Sequence, residues 1–426
     1  MTAPLAMVML GAGHRARDAY GPFVEQHPDQ ARIVAVAEPH PLRRRQMAAR
    51  FDIADELCFE SWQELLARPQ LAPALLNLTQ DQMHVESTVA ALERGYHVLL
   101  EKPMAQTPAD CVRLVQASER TGRILQIAHE LRFTPFFVGL REIVRSGRLG
   151  QIVAVEHREN IAYWHMAHSF VRGNWRSRAT SSPLILAKCC HDMDILFWMF
   201  GPVRRLSSAG ALLHFRPEHA PPGAPLRCTD GCPVESECPF FAPRLYAGPD
   251  GAWPRSVVSE IDSVKARMDA LRTGPYGRCV YHCDNDVVDQ QSVLMELESG
   301  VTVSLNFVGH SHREGRTLRI DGSRATLRGK FSEGDQQIEI NDHLTNHSEL
   351  IPIEYAHDGH GGGDVVLIAA FIAALRSGQA ETLTSARNSM ESHLMSFAAE
   401  DARLNGTVIA MADYHRQVEL THAPAY

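Results

Sequence analysis

The chain has 426 residues, 45% apolar and 22% charged, with a formal net charge of −8 at pH 7. A single hydrophobic core rarely serves more than roughly 250–300 residues, so two domains are expected. The acidic balance argues against a surface for nucleic acid or for a membrane, and the longest apolar run, Val365 to Leu375, suits a buried helix rather than a bilayer span.

Leu5 to Leu10 is apolar, but the segment around it has neither a basic start nor a cleavage-type site, and we read it as a strand. Nine cysteines without an export signal imply a reduced, cytoplasmic setting, where clustered cysteines suggest metal before disulfides. Strand-like and helix-like segments then alternate. Pro4 to Leu10, Ala31 to Glu38, Ala74 to Thr79, His97 to Leu100 and Ile124 to Ala128 read as strands. Arg15 to His27, His40 to Phe51, His84 to Glu93 and Pro108 to Glu119 read as helices. Such alternation predicts a doubly wound parallel sheet, a Rossmann domain, over residues 1–126.

Gly11-x-Gly13-x-x-Ala16 lies between the first strand and the first helix. Small residues there allow a tight turn and close approach of a pyrophosphate, whose charge the helix N-terminus favours. Glu38 ends the second strand, where a carboxylate can accept from both ribose hydroxyls of NAD and repel a 2′-phosphate. Arg43 to Arg45 lie close by and read as a solvated helix face.

The strand His97 to Leu100 runs into Glu101-Lys102-Pro103, with Asn77-Leu78-Thr79-Gln80 and His84 upstream. Arg132-Phe133-x-Pro135, Ser146-Gly147-Arg148-Leu149-Gly150, His191-x-x-Asp194 and His360-Gly-Gly-Gly-Asp364 follow in that order. In these motifs the chain resembles, over essentially its whole length, the glucose–fructose oxidoreductase, inositol dehydrogenase and rhizopine-catabolism (Gfo/Idh/MocA) family. The resemblance implies NAD contacts from Gly11, Gly13, His14, Arg15, Glu38, Thr79, Gln80, His84, Glu101 and Lys102. It also implies a C-terminal α/β domain, residues 127–426, built on a large, mostly antiparallel open sheet through which members form homo-oligomers. The residues agree: Ile152 to Glu159, Ser207 to Phe215, Ser292 to Glu298, Thr302 to Phe307 and Thr317 to Asp321 read as strands, most without helices between them.

Lys102 is expected at a strand end facing the nicotinamide, where an ammonium stabilises a developing alkoxide. His191 precedes the apolar run Ile195 to Phe200 and Gly201, with Asp194 on the same helix face. In the family the histidine at this position transfers protons. Members commonly carry an aspartate four residues earlier, where this chain has Ala187 followed by Lys188, so Lys188 joins the catalytic candidates. Between Glu159 and Arg178 the chain is dense in Tyr163, Trp164, His165, His168, Arg172, Trp175 and Arg176. Aromatic faces beside forked arginines suit a carbohydrate, and an anionic one if Arg172, Arg176 and Lys188 converge. An insertion at about 217–283 carries Cys228, Cys232, Cys238 and Cys279, whose spacing suits a structural zinc.

Three functions compete. The first is hydride transfer at a ring hydroxyl of a sugar, sugar derivative or cyclitol. The second is a redox-neutral, NAD-dependent glycosidase that transiently oxidises C3, eliminates the aglycone, adds water and returns the hydride, on an anionic glycoside such as a sulfosugar. The third is a non-catalytic dinucleotide sensor.

Overall fold

The computed structural model describes residues 3–332, 334–354, 359–379 and 381–422. The first sheet holds β1 (Leu5–Leu10), β2 (Ala31–Ala37), β3 (Cys58–Phe59), β4 (Ala74–Asn77), β5 (His97–Leu100) and β6 (Leu125–Ile127). Its order is β3-β2-β1-β4-β5-β6, with all neighbours parallel. Buried on both faces, these strands are short apolar runs rather than alternating ones. The order reverses beside β1, and ligands of doubly wound sheets bind at that point.

The second sheet holds β7 (Ile152–Ala162), β8 (Val203–Ala211), β9 (Gln290–Leu297), β10 (Thr302–Ser311), β11 (Gly315–Gly322), β12 (Ala325–Ser332), β13 (Asp335–Asp342), β14 (Ser348–Ile351) and β15 (Val408–Ala410). Its order is β14-β13-β12-β11-β7-β10-β9-β8-β15, and only β7 and β10 pair in parallel. Alternating burial along β9 to β13 leaves one face open. The fold class is therefore α/β, a Rossmann sheet joined to a large, mostly antiparallel one.

Three elements differ from the sequence reading. The first helix opens with a widened π turn, Ala16–Tyr20, before the α-helix Gly21–Gln26. Pro22 offers no N–H to an α-type ladder, which fits the break at that point. Strand β8 begins and ends four residues earlier than expected. Buried Val203 and Leu206 pair with β9, while the Asp289 carboxylate takes the N–H groups of Leu213 and His214 and ends the ladder. The helix Gly363–Ser377 is longer than its apolar run, and residues 360–377 are apolar enough to cross a membrane. Leu367, Ile368, Phe371 and Ile372 are instead buried against Met7, Met9 and Ile33 of the first sheet.

One long helix, Ala386–Asn405, packs against both halves. Ala386 and Phe397 join the core of the first sheet, whereas Leu394, Met395, Ala398 and Ala402 join that of the second. The imidazole Nε2 of His393 on this helix accepts the Met104 N–H at 2.9 Å, directly behind Lys102 and Pro103. The insertion has its own small core of Cys228, Ala242, Tyr246 and Leu271, and two helices, Ala242–Tyr246 and Val264–Thr273.

Candidate active site

The phosphate turn follows β1. Gly11 has φ +85°, and a Cβ there would lie 2.6 Å from the Leu78 carbonyl oxygen, so glycine is required. Nothing lies within 4 Å of a Cβ built on Gly13, which leaves an open cradle where a pyrophosphate needs to approach the backbone. Buried Glu38 accepts the N–H of Ala12 at 2.7 Å and of His40 at 2.9 Å, which fixes its carboxylate beside the turn. These features fit a dinucleotide with a free ribose 2′-hydroxyl. Arg43 pairs with Glu260 and Arg44 with Glu60, so both guanidiniums already have anionic partners.

The other expected cofactor residues form its frame. Thr79 donates its hydroxyl to Asn77 at 2.8 Å, and Gln80 accepts from Asn174. The His84 ring bridges the carbonyls of Pro103 and Thr79, bracing the loops after β4 and β5 without facing the turn. Arg15 donates to Glu101 at 2.6 Å and to Asp364 at 2.6 Å, and Tyr20 also donates to Glu101. Glu101 thus anchors the strand end, while His14 pairs with Asp18 at 3.3 Å.

Lys102 makes no side-chain hydrogen bond or ion pair among the described residues. Its charge reaches His191: burial holds that imidazole well below its ordinary pKa, and Lys102 is the next cause. His191 is 4% exposed, and neither ring nitrogen has a hydrogen-bond partner. Its Nε2 lies 3.6 Å from Glu130. The Glu130 carboxylate is wholly buried, both oxygens lack a hydrogen bond, and burial pushes its pKa up. The His360 Nε2 stands 3.2 Å from Glu130 and its Nδ1 3.0 Å from Asp364, with a side chain 41% exposed. Glu130 was missed in the sequence, where it precedes Arg132 and the strand signal has already ended. Glu130, His360 and Asp364 bring ligand atoms within 4.8 Å of one another. Arg15 already pairs with Asp364, and the His360 ring lies between the Asp364 and Glu130 carboxylates.

Lys188 lies 3.4 Å from Glu159. Burial opposes its charge, but Glu159 and then Glu314 outweigh it and raise the pKa, so the side chain is a firm cation. His165 contacts Glu314 and lies edge-on to Trp253 at 4.8 Å. Tyr163 stays beside it, packed on Phe240.

Five expected substrate residues have partners elsewhere in the chain. Asp194 is buried in a two-pronged ion pair with Arg132, at 2.6 and 2.7 Å. Arg172 is wholly buried and donates to the carbonyls of Arg278 and Phe240, both at 2.7 Å. His168 bonds the Tyr246 hydroxyl and stacks on Tyr276 at 4.7 Å, beneath the insertion. Arg176 pairs with Asp284 at 2.8 Å, so the two arginines do not converge with Lys188. Trp175 donates to Asp81 at 3.4 Å and packs on Phe170.

Cys228, Cys232, Cys238 and Cys279 surround one small cavity and all are free thiols. Among the described residues no three cysteine sulfurs lie within 4.8 Å of one another. The insertion is fastened by the Arg172 hydrogen bonds.

Comparison with known proteins agrees with this geometry. A family model described as an oxidoreductase family, NAD-binding Rossmann fold, matches residues 5–129, and its C-terminal alpha/beta domain matches residues 141–411. The Bacillus subtilis protein YteT is 24% identical over 386 residues, covering 85% of this chain and 87% of YteT. An inositol 2-dehydrogenase of Streptomyces avermitilis is 31% identical over 225 residues, covering 52% of this chain and 60% of that protein. The aldose-aldose oxidoreductase of Caulobacter crescentus shares the fold, with a TM-score of 0.67 and 15% identity over 96% of this chain and 99% of that one.

Proposed function

Because the chain belongs to the Gfo/Idh/MocA oxidoreductase family, we propose that it is an NAD-dependent dehydrogenase of a ring hydroxyl in a sugar, sugar derivative or cyclitol, or of the matching ketone in reverse. The observation that carries this reading is the unpartnered, buried His191 under the field of the free Lys102 ammonium. Relatives that act on inositol and aldoses support the substrate class. When bound, NAD supplies the hydride acceptor.

Lys102 holds the reacting hydroxyl oxygen and stabilises the negative charge that develops on it. His191, kept neutral by burial, takes the hydroxyl proton. Alcohol oxidation releases that proton, and a route out runs from His191 across Glu130 to the half-exposed His360. The 3.6 Å step is long for a hydrogen bond, and such catalytic contacts commonly tighten once substrate binds. Lys188, near Glu159 and Glu314, supplies positive charge to the pocket and fits a polar or acidic substituent on the ring. The nine-stranded sheet's open face, crossed by Arg319, Glu156, Ser304 and Leu294, is the surface we assign to homo-oligomer contact.

The redox-neutral glycosidase is the second reading, and Glu130 favours it. Elimination and water addition need a further acid/base group, and a buried carboxyl beside His191 is one. One experiment decides between them. The purified protein is offered myo-inositol, free aldoses and chromogenic glycosides, and NADH formation and aglycone release are followed together. Net NADH from a polyol or aldose supports the dehydrogenase; aglycone release without NADH transfers the reading to the glycosidase. In either case Lys102→Ala is expected to lower kcat by about 10²–10⁴, and unchanged turnover would remove Lys102 from the site.

A further inference from the structure

The insertion reaches the first domain at two points. The Trp253 ring lies 6.4 Å from His14 in the phosphate turn, and 4.8 and 5.4 Å from His165 and His168 in the segment after β7. Glu260 accepts from Arg43 Nε at 2.7 Å, on the helix that follows Glu38. Between these contacts a cavity of about 540 Å³ opens beside the phosphate turn. Ala12, His14 and Arg43 wall one side of it, and Trp253, Glu260 and Arg267 the other. That volume is in the range of small-molecule sites.

The far end of the insertion is fixed to the second domain. Arg172 is bonded into its loops, and His168 is held by Tyr246 and Tyr276. Arg267, also buried, donates to the Gly248 carbonyl and stiffens the segment that carries Trp253. One piece of chain is therefore tied to both domains and straddles the phosphate turn.

We infer that the insertion is a wall of the dinucleotide site, that Trp253 and Glu260 are binding residues, and that NAD stays bound between turnovers. The inference rests on the dinucleotide reading of the phosphate turn. A partly exposed ion pair such as Arg43–Glu260 holds little by itself. Combined with the Trp253 contacts and the buried anchors behind them, it closes the side on which the phosphate turn would otherwise face solvent. Release then requires the strap to part from the first domain, and such a step sets a dissociation rate rather than an association rate.

The test needs no substrate. Nucleotide is quantified in denatured samples of dialysed wild type, Trp253→Ala and Glu260→Gln. Release from NADH-loaded protein is then timed by fluorescence after a chase with excess NAD+. Wild type is expected to keep close to one dinucleotide per chain, with release at least about tenfold faster in the insertion variants. Faster release in either variant supports the inference and assigns the hold to that residue. Because Trp253→Ala can loosen the insertion, Glu260→Gln, which keeps size and shape, provides the independent arm. Loss of dinucleotide from wild type on dialysis, or wild-type release rates in both variants, overturns it. Wild type that binds added NADH but loses it on dialysis overturns retention alone, whereas wild type that binds no added NADH overturns the dinucleotide reading itself.

Discussion

The catalytic seam and the insertion both bury arginines, and they satisfy them differently. In the seam each guanidinium meets carboxylates: Arg132 with Asp194, Arg15 with Glu101 and Asp364, Arg316 with Asp192. At the insertion, buried Arg172 donates from the segment after β7 to two backbone carbonyls, and buried Arg267 within it donates to another as well as to Asp262. Carboxylate pairs fix the charge state of a site whose chemistry depends on protons. Carbonyl-bound arginines do the work of a core, gathering loops whose separate cluster holds four buried apolar side chains.

The sharpest test of that contrast is to remove one partner from each region. Asp194→Ala leaves the Arg132 charge buried and uncompensated, and we expect a global loss of about 3–5 kcal/mol in chemical denaturation. A loss below about 1 kcal/mol would mean that water reaches the pair. Arg172→Leu orphans the carbonyls of Arg278 and Phe240, and about 2–3 kcal/mol is expected. That loss should appear first as faster amide exchange across residues 228–283, with strands β1 to β6 unchanged. Exchange that rises equally in both regions would show that the insertion does not open on its own.

A further effect is an acid one, shared by the two regions. Burial lowers the pKa of His393 in the seam and of His168 under the insertion, each to about 3. The unfolded chain binds these protons near pH 6.5 and the folded one does not. Their stabilisation is therefore complete above that value and falls as pH drops towards 3, by roughly 1.4 kcal/mol per pH unit for each. Calorimetry between pH 7.5 and 5 should show a falling Tm, and a flat Tm would place protons on these rings in the folded state.

The phosphate turn, Lys102 and His191 were legible in the sequence because each depends on a short stretch of chain in a fixed place: after a strand, at a strand end, at a helix start. The segment 159–178 misled because composition carries no direction. Arginines and aromatics that suit a sugar also suit a loop clamp, and Arg172 and His168 point under the insertion while His165 does not. Asp194 shares a helix face with His191, yet Arg132 claims it from another element, a contact between positions 62 apart. The cysteine spacing was compatible with a metal, but spacing cannot report how far apart loops hold their sulfurs. Strand β12 alternates but places Gly329 on its buried face, and β13 and β14 are short of apolar residues, so their period is faint without the neighbouring strands.

The bond from Met104 N–H to His393 joins positions 289 apart in the chain. At roughly 5–20 residues per second of synthesis, some 15–60 s separate the appearance of the Lys102 loop from that of its support. A ribosome-bound intermediate can thus assemble the first sheet early, with His84 already bracing the Pro103 carbonyl, yet its lysine loop lacks the His393 contact until residue 393 emerges.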